Sequence, residues 1–299
     1  MKSKKLFACT VIAATSFSTI ACANQAETSS AKKTSSSVRI NKKVQNHYQI
    51  YTKTWHIKNG RETIYGHIHM PKNYKGKMKV AILSHGLGGN YEQMEPYAKN
   101  LAHKGYFTFT YDFPGGSIGG QSIGRKSTQM SIFTEERDLL AVIKAVSNRQ
   151  DVIRNHILLV GASQGGAVSA LTASRHSKNI DALVLMYPAF SITANAQRQY
   201  KSYNDVPKEV DLFDFSLGKI YFKHLFNMDI TQAATKFSGP VLIVHGQQDD
   251  IVPIHYSRQA AHNFKYAQFK VLPNAGHDFA GDDRNQAIKY MDNFVNKLK

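Results

Sequence analysis

The chain has 299 residues, 42% hydrophobic and 20% charged, enough for one large folded domain or two small ones. Its formal net charge of +17 raises the question of a nucleic-acid partner. No basic helix with interleaved aromatics and no nucleic-acid motif accompanies that charge, so this class is set aside in favour of an anionic envelope or a generally basic proteome. Cys9 and Cys22 are the only cysteines, which excludes a disulfide scaffold.

Residues 1–23 read as a secretory signal. Lys2, Lys4 and Lys5 form a positive n-region, Leu6 to Ala21 an apolar stretch diluted with Ser and Thr, and Ala21 and Ala23 supply small residues. The stretch is too short and too weakly apolar for a membrane span. Ala21-Cys22-Ala23 fits a signal-peptidase site, whereas Thr19-Ile20-Ala21-Cys22 resembles a bacterial lipobox with Thr19 in place of the usual leucine. A cysteine at that place favours a lipid anchor at Cys22 over free secretion. Residues 24–46, rich in Ser, Thr and Lys, cannot bury a core and read as a disordered linker, spanning roughly 25 Å as a flexible coil.

A single domain is expected over 47–299. Tyr48 to Ile57 and Thr63 to Met70 alternate apolar with polar residues around Asn59-Gly60, a hairpin signal. His67 and His69 lie two apart on the second strand and so face one side. A metal there needs a third ligand that the local sequence does not offer, so the expectation is a solvated strand face. Val80 to Ser84 is a strand ending in His85-Gly86-Leu87-Gly88-Gly89, whose glycines allow close backbone approach to a ligand. A helix over Tyr91 to Lys104 and a strand over Phe107 to Asp112 follow. Gly119 to Ser127 nearly matches a phosphate-binding loop, but Arg125 breaks the G-K-[ST] spacing and the loop lies too far beyond its strand. Nucleotide binding is rejected on those grounds.

After a helix over about Thr134 to Ser147 comes the strand His156 to Val160, then Gly161-Ala162-Ser163-Gln164-Gly165, then a small-residue helix over Gly165 to His176. Strand, G-x-S-x-G and helix are the context of a nucleophile elbow, where Ser163 stands on a turn too tight for side chains at its flanking glycines. Ala182 to Tyr187 is a further strand. The next strand, Pro240 to His245, begins only after a long segment, 190–236, that holds Tyr200, Tyr203, Phe213, Phe215, Tyr221, Phe222 and Phe226. A connection of that length is uncommon and reads as a cap over the nucleophile, most of its aromatics forming the cap's own small core. Asp249 lies just past the strand Pro240 to His245, and His277 just past the strand Gln268 to Leu272. Helices are expected over Tyr256 to Asn263 and Asp283 to Lys299.

Strands alternating with helices imply a mostly parallel sheet of about eight strands covered on both faces, an α/β fold. Ser163, Asp249 and His277 follow one another in the order Ser, Asp, His, all at strand ends, as nucleophile, orienting acid and base. The oxyanion donors are then the backbone N–H groups of Leu87 and Gln164. No metal or cofactor is implied.

These motifs resemble the α/β-hydrolase superfamily. They resemble in particular its bacterial cinnamoyl/feruloyl esterase-like and serine-aminopeptidase-like branch. The resemblance rests on His85-Gly86 with Gly88-Gly89, Tyr111-Asp112-Phe113, Ser163-Gln164-Gly165-Gly166, His245-Gly246-x-x-Asp249-x-x-Val252-Pro253 and Ala275-Gly276-His277, over residues 48–299. It selects Asp249 over Asp250 as the acid. It departs from the family at Ala162, where histidine is frequent, and at Leu87, where an aromatic is frequent. It implies an α/β-hydrolase fold with a small inserted cap, acting on small acyl or hydroxycinnamoyl esters through an acyl-enzyme. The alternatives are an aminopeptidase-like or acyl-peptide hydrolase, with Glu209, Asp211 and Asp214 as the acidic group that binds a substrate amine, or a surface binding protein without turnover. The partner expected is a small-molecule ester, with no nucleic acid and no membrane contact beyond Cys22.

Overall fold

The computed structural model describes residues 47–213 and 215–298. The expected export signal over 1–23 with Cys22, the expected linker over 24–46, Asp214 and Lys299 lie outside the described residues. The first two strands, β1 (Ile50–Asn59) and β2 (Glu62–Pro71), pair antiparallel in the register Asn59↔Glu62. The loop is therefore Gly60-Arg61, with Gly60 at φ +62°, the glycine that a two-residue hairpin turn requires at its first position.

Then follow β3 (Met78–Ser84), α1 (Tyr91–His103), β4 (Tyr106–Tyr111), α2 (Ile132–Ser147), β5 (Val152–Ala162), α3 (Ser163–Arg175) and β6 (Ile180–Met186). After the cap, β9 (Pro240–Gly246), α6 (His255–Asn263), β10 (Tyr266–Leu272) and α7 (Gly281–Val295) complete the chain. The last helix ends short of the expected Lys299.

The main sheet runs β1-β2-β4-β3-β5-β6-β9-β10, with β2 antiparallel to its neighbours β1 and β4 and the remaining pairs parallel. This is the α/β-hydrolase architecture. The central strands are apolar throughout because both faces are covered. Their alternate residues feed two cores. Ile82, Leu159 and Ile243 pack with Leu139 of α2 and Val168 of α3, while Leu83, Val160 and Val244 pack with Leu101 of α1 and Met291 of α7.

The cap segment holds α4 (Ile192–Gln199), a hairpin of β7 (Glu209–Leu212) and β8 (Phe215–Gly218), and α5 (Ile230–Ala234). Its aromatics divide. Phe215, Tyr221 and Phe222 are buried, Tyr200, Tyr203 and Phe226 pack partly buried against the core, and Phe213 is 65% exposed.

One expectation is corrected. The side of β2 that carries His67 and His69 is not solvated. Because β2 is an interior strand packed by α1, His69 is fully buried and His67 only partly exposed. Burial lowers the pKa of His69 to about 4, against the opposing pull of the Glu95 carboxylate.

Candidate active site

Ser163 opens α3 immediately after β5, with φ +50°. For a residue with a side chain this left-handed conformation is strained. The surrounding contacts enforce it. A Cβ on Gly161 would stand 2.3 Å from the Gly165 carbonyl oxygen, and one on Gly165 would stand 2.3 Å from that of His85. The elbow is therefore pressed between its own helix and the end of β3, and side chains at either glycine are excluded.

His277 and Asp249 reach Ser163 from the loops after β10 and β9. His277 Nε2 lies 2.9 Å from Ser163 Oγ, and His277 Nδ1 lies 2.8 Å from Asp249 Oδ2. Asp249 is bound on every side. Its Oδ1 accepts from the backbone N–H of Ile251 at 3.0 Å and of Val252 at 2.8 Å, and its Oδ2 also faces His245 Nε2 at 3.0 Å. Burial alone would raise its pKa. The bonds from His245, His277 and Val252 outweigh that and hold the carboxyl well below the usual range. Asp250, by contrast, is exposed. The contact from His245 was not anticipated. His245 Nδ1 is itself held by Ser257 Oγ at 2.7 Å, so a fully buried imidazole backs the carboxylate from beneath. Its signal in the sequence is the i, i+4 spacing to Asp249 at a strand end.

The loop after β3 lies against Ser163. A Cβ on Gly86 would come 3.1 Å from Ser163 Cβ. Two side chains, His85 and Gln93, hold this loop in place. His85 Nδ1 donates to the Gly86 carbonyl at 2.7 Å, its Nε2 accepts from Phe113 N–H at 3.0 Å, and Gln93 Oε1 accepts from Gly86 N–H at 2.8 Å. Burial lowers the pKa of His85, which keeps Nε2 available as that acceptor. Gln93 donates in turn to Asp278 Oδ1 at 3.0 Å, which ties the loop to the residue after His277.

Gln164 is anchored through its side chain. Its Nε2 donates to Glu135 Oε2 at 2.8 Å and its Oε1 accepts from Tyr221 O–H at 2.6 Å. Glu135 is fully buried, and burial raises its pKa well above the carboxyl range, aided by the nearby Asp138 charge. Its bond from Gln164 opposes that rise. Neither Glu135 nor Tyr221 was singled out from the sequence, since the three residues are distant in the chain and meet only through packing of α2, α3 and the cap.

A cavity of about 150 Å³ opens beside Ser163. Leu87 and Gln164 line it, with Ile192, Val210, Tyr221 and Val252 among its apolar walls, and Asp211 and Phe213 also contribute. Of the three cap acids considered for amine binding, Asp211 lines the cavity and Glu209 is exposed without lining it.

The phosphate-loop look-alike is filled by the protein itself. Asp112 Oδ2 accepts from Gln121 N–H at 2.6 Å, and Arg125 is buried against Asp138 and Glu62. The protein's own carboxylates thus take up the Gln121 N–H and the Arg125 guanidinium.

The family described as serine aminopeptidase, S33, matches residues 76–227, just over half of the chain. The serine hydrolase BPHL of Homo sapiens is 22% identical over 250 residues, covering 77% of this chain and 81% of that protein. Among solved structures, Est1E from Butyrivibrio proteoclasticus with ferulic acid bound superposes with a TM-score of 0.73 at 25% identity, over 81% of this chain and 100% of that one. Mouse alpha/beta hydrolase domain-containing protein 10 shares the fold, with a TM-score of 0.60 at 18% identity over 83% of this chain and 100% of that one.

Proposed function

This chain belongs to the serine aminopeptidase, S33, family of α/β-hydrolases, and from that premise we propose that it is a serine hydrolase cleaving carboxylic esters of small acyl or hydroxycinnamoyl groups. The observation that carries the reading is the unbroken hydrogen-bonded line Asp249–His277–Ser163 opening onto a largely apolar cavity. His277 Nε2 takes the proton of Ser163 Oγ as that oxygen attacks the ester carbonyl. Asp249 holds Nδ1–H and stabilises the imidazolium. The backbone N–H groups of Leu87 and Gln164 bind the developing oxyanion, an interaction of about 3–4 kcal/mol for such donors. His277 returns the proton to the leaving alcohol, then activates the water that releases the acyl group. The ferulic acid bound to Est1E supports an aromatic acyl group, and the aromatic cap residues Tyr221, Phe222 and Phe213 at the cavity suit one.

Asp211 favours a second reading, an aminopeptidase-like activity. It is a carboxylate on the cavity wall, where it can pair with a substrate ammonium. Initial rates of the full chain on methyl ferulate, p-nitrophenyl butyrate and alanine p-nitroanilide, beside Ser163→Ala, separate the two. The ester reading expects ester turnover that falls about 10⁴-fold or more in the variant. Amide cleavage without ester cleavage, lost in Asp211→Asn, replaces it with the peptidase reading. Silence on all three substrates, with no fluorophosphonate labelling of Ser163, favours a binding protein.

The basic n-region and Cys22 support export with a lipid anchor at Cys22, the enzyme facing outward. Incorporation of labelled palmitate that persists in Cys22→Ala would refute the anchor.

A further inference from the structure

We propose that His67, His69 and Glu95 form a binding site for one divalent transition-metal ion of the zinc class, which pins α1 to β2. His67 Nδ1, His69 Nε2 and a Glu95 carboxylate oxygen all lie within 4.8 Å of one another. Glu95 Oε1 stands 2.9 Å from His67 Nδ1 and 3.5 Å from His69 Nε2. A tetrahedral ion with bonds of about 2.0–2.1 Å sets its ligand atoms roughly 3.3 Å apart, so these spacings need little adjustment to receive it.

The second observation is an orphaned atom. His69 is fully buried, and its Nε2 has no hydrogen-bond partner although it faces Glu95. A buried polar atom left without a partner costs about 1–3 kcal/mol, and a metal ion would satisfy it. The other ring nitrogens are already held as metal-binding histidines usually are. His69 Nδ1 lies 2.9 Å from Thr52 Oγ1, and His67 Nε2 lies 3.0 Å from Tyr65 O–H. Each hydroxyl can accept the ring N–H, leaving the inward nitrogen free as a lone-pair donor.

Lys99 pairs with Glu95 Oε2, which leaves Oε1 as a single-oxygen ligand. Lys99 is 45% exposed, so its ammonium can move into water when a cation arrives. His67 and Glu95 retain 18% and 17% side-chain exposure, which opens a route for the ion and a place for a water as fourth ligand. Two imidazoles and one carboxylate select zinc, copper or nickel over magnesium or calcium.

The consequence is mechanical. Glu95 lies half a turn from Gln93 on α1, and Gln93 holds the loop after β3 that lies against Ser163. No cysteine occurs among the described residues, so a metal clamp would be the covalent-strength tie that this domain otherwise lacks.

The test uses the full chain, stripped with a chelator, then titrated with zinc sulfate and followed by equilibrium dialysis with elemental analysis and by thermal melting. Expected are one tight zinc per chain and a midpoint raised by about 5–10 °C at a hundredfold excess over the dissociation constant, with no response to magnesium. Cobalt substitution should give the visible absorption of a tetrahedral site. His67→Gln and Glu95→Gln should each bind zinc at least tenfold more weakly, and two variants guard against one failing to fold. The proposal is overturned if the parent binds no zinc, or if both variants bind it as well as the parent, which would place the ion on other surface histidines.

Discussion

The C-terminal edge of the sheet and the cap that faces it are built in opposite ways. At the edge, Asp249 has four partners, His85 and His245 are buried with both ring nitrogens engaged, and Ser163 is held at a positive φ between glycines where an added Cβ would stand 2.3 Å from a carbonyl oxygen. In the cap, Leu212, Phe213 and Ile220 are exposed apolar residues, and Asp211 is an exposed acid. Tyr221 carries a buried hydrogen bond across to Gln164, the residue after Ser163. The edge is over-determined, as preorganised chemistry demands. The cap is under-determined, as a surface that chooses among substrates can afford to be.

If that contrast is right, the largest effects follow changes at the edge. Asp249→Asn keeps the shape but lets His277 take the wrong tautomer, and kcat on an ester should fall about 10⁴-fold. A loss below tenfold, measured by steady-state kinetics, would show that the carboxylate is not the orienting group.

Glu135 sharpens the contrast through pH. Its folded pKa is raised by burial, so its contribution to stability is full below about pH 4.5 and is lost as pH rises toward the folded value. Glu135→Gln does not titrate. Its melting temperature should match the parent near pH 4 and exceed it by roughly 2–4 °C at pH 8, about 1 kcal/mol in a domain of this size. A gap that narrows with rising pH contradicts the assignment.

Strain at the elbow predicts a trade of activity for stability. Ser163→Gly removes the Cβ at φ +50° and should raise the melting temperature by about 2–4 °C, from a relief of roughly 1 kcal/mol, while abolishing turnover. An unchanged or lower midpoint would mean that the elbow stores no strain.

The smallest effect belongs to the cap. Phe213→Ala, at a 65% exposed position on the cavity wall, should alter KM for an aromatic ester about threefold, with kcat on a short acyl ester and the melting temperature unchanged. A large fall in kcat would place the cap within the chemistry itself.

Much of this architecture was legible in the chain. The alternation of strands and helices, the strand–turn–helix around Ser163, and the strand ends bearing Asp249 and His277 are local matters. Apolar periodicity and glycine placement encode them within ten or so residues. The Gly60 turn and the elbow were legible for the same reason, because short-range steric exclusion forbids other backbones there.

What the tertiary structure decided lies at longer range. His69 looked solvated because its strand alternates, yet β2 is interior and α1 covers it. Glu95 joins the two histidines from 26 residues beyond His69, on a different element. The resemblance picked Asp249 over its neighbour Asp250, but the physical difference between them, backbone N–H groups and His245 at Asp249, exists only in the folded loop. Glu135 and Tyr221 meet at Gln164 from separate helices and the cap. Backbone conformation is set by neighbours in sequence, whereas burial and the pairing of polar groups are set by neighbours in space, and no local pattern records which those will be.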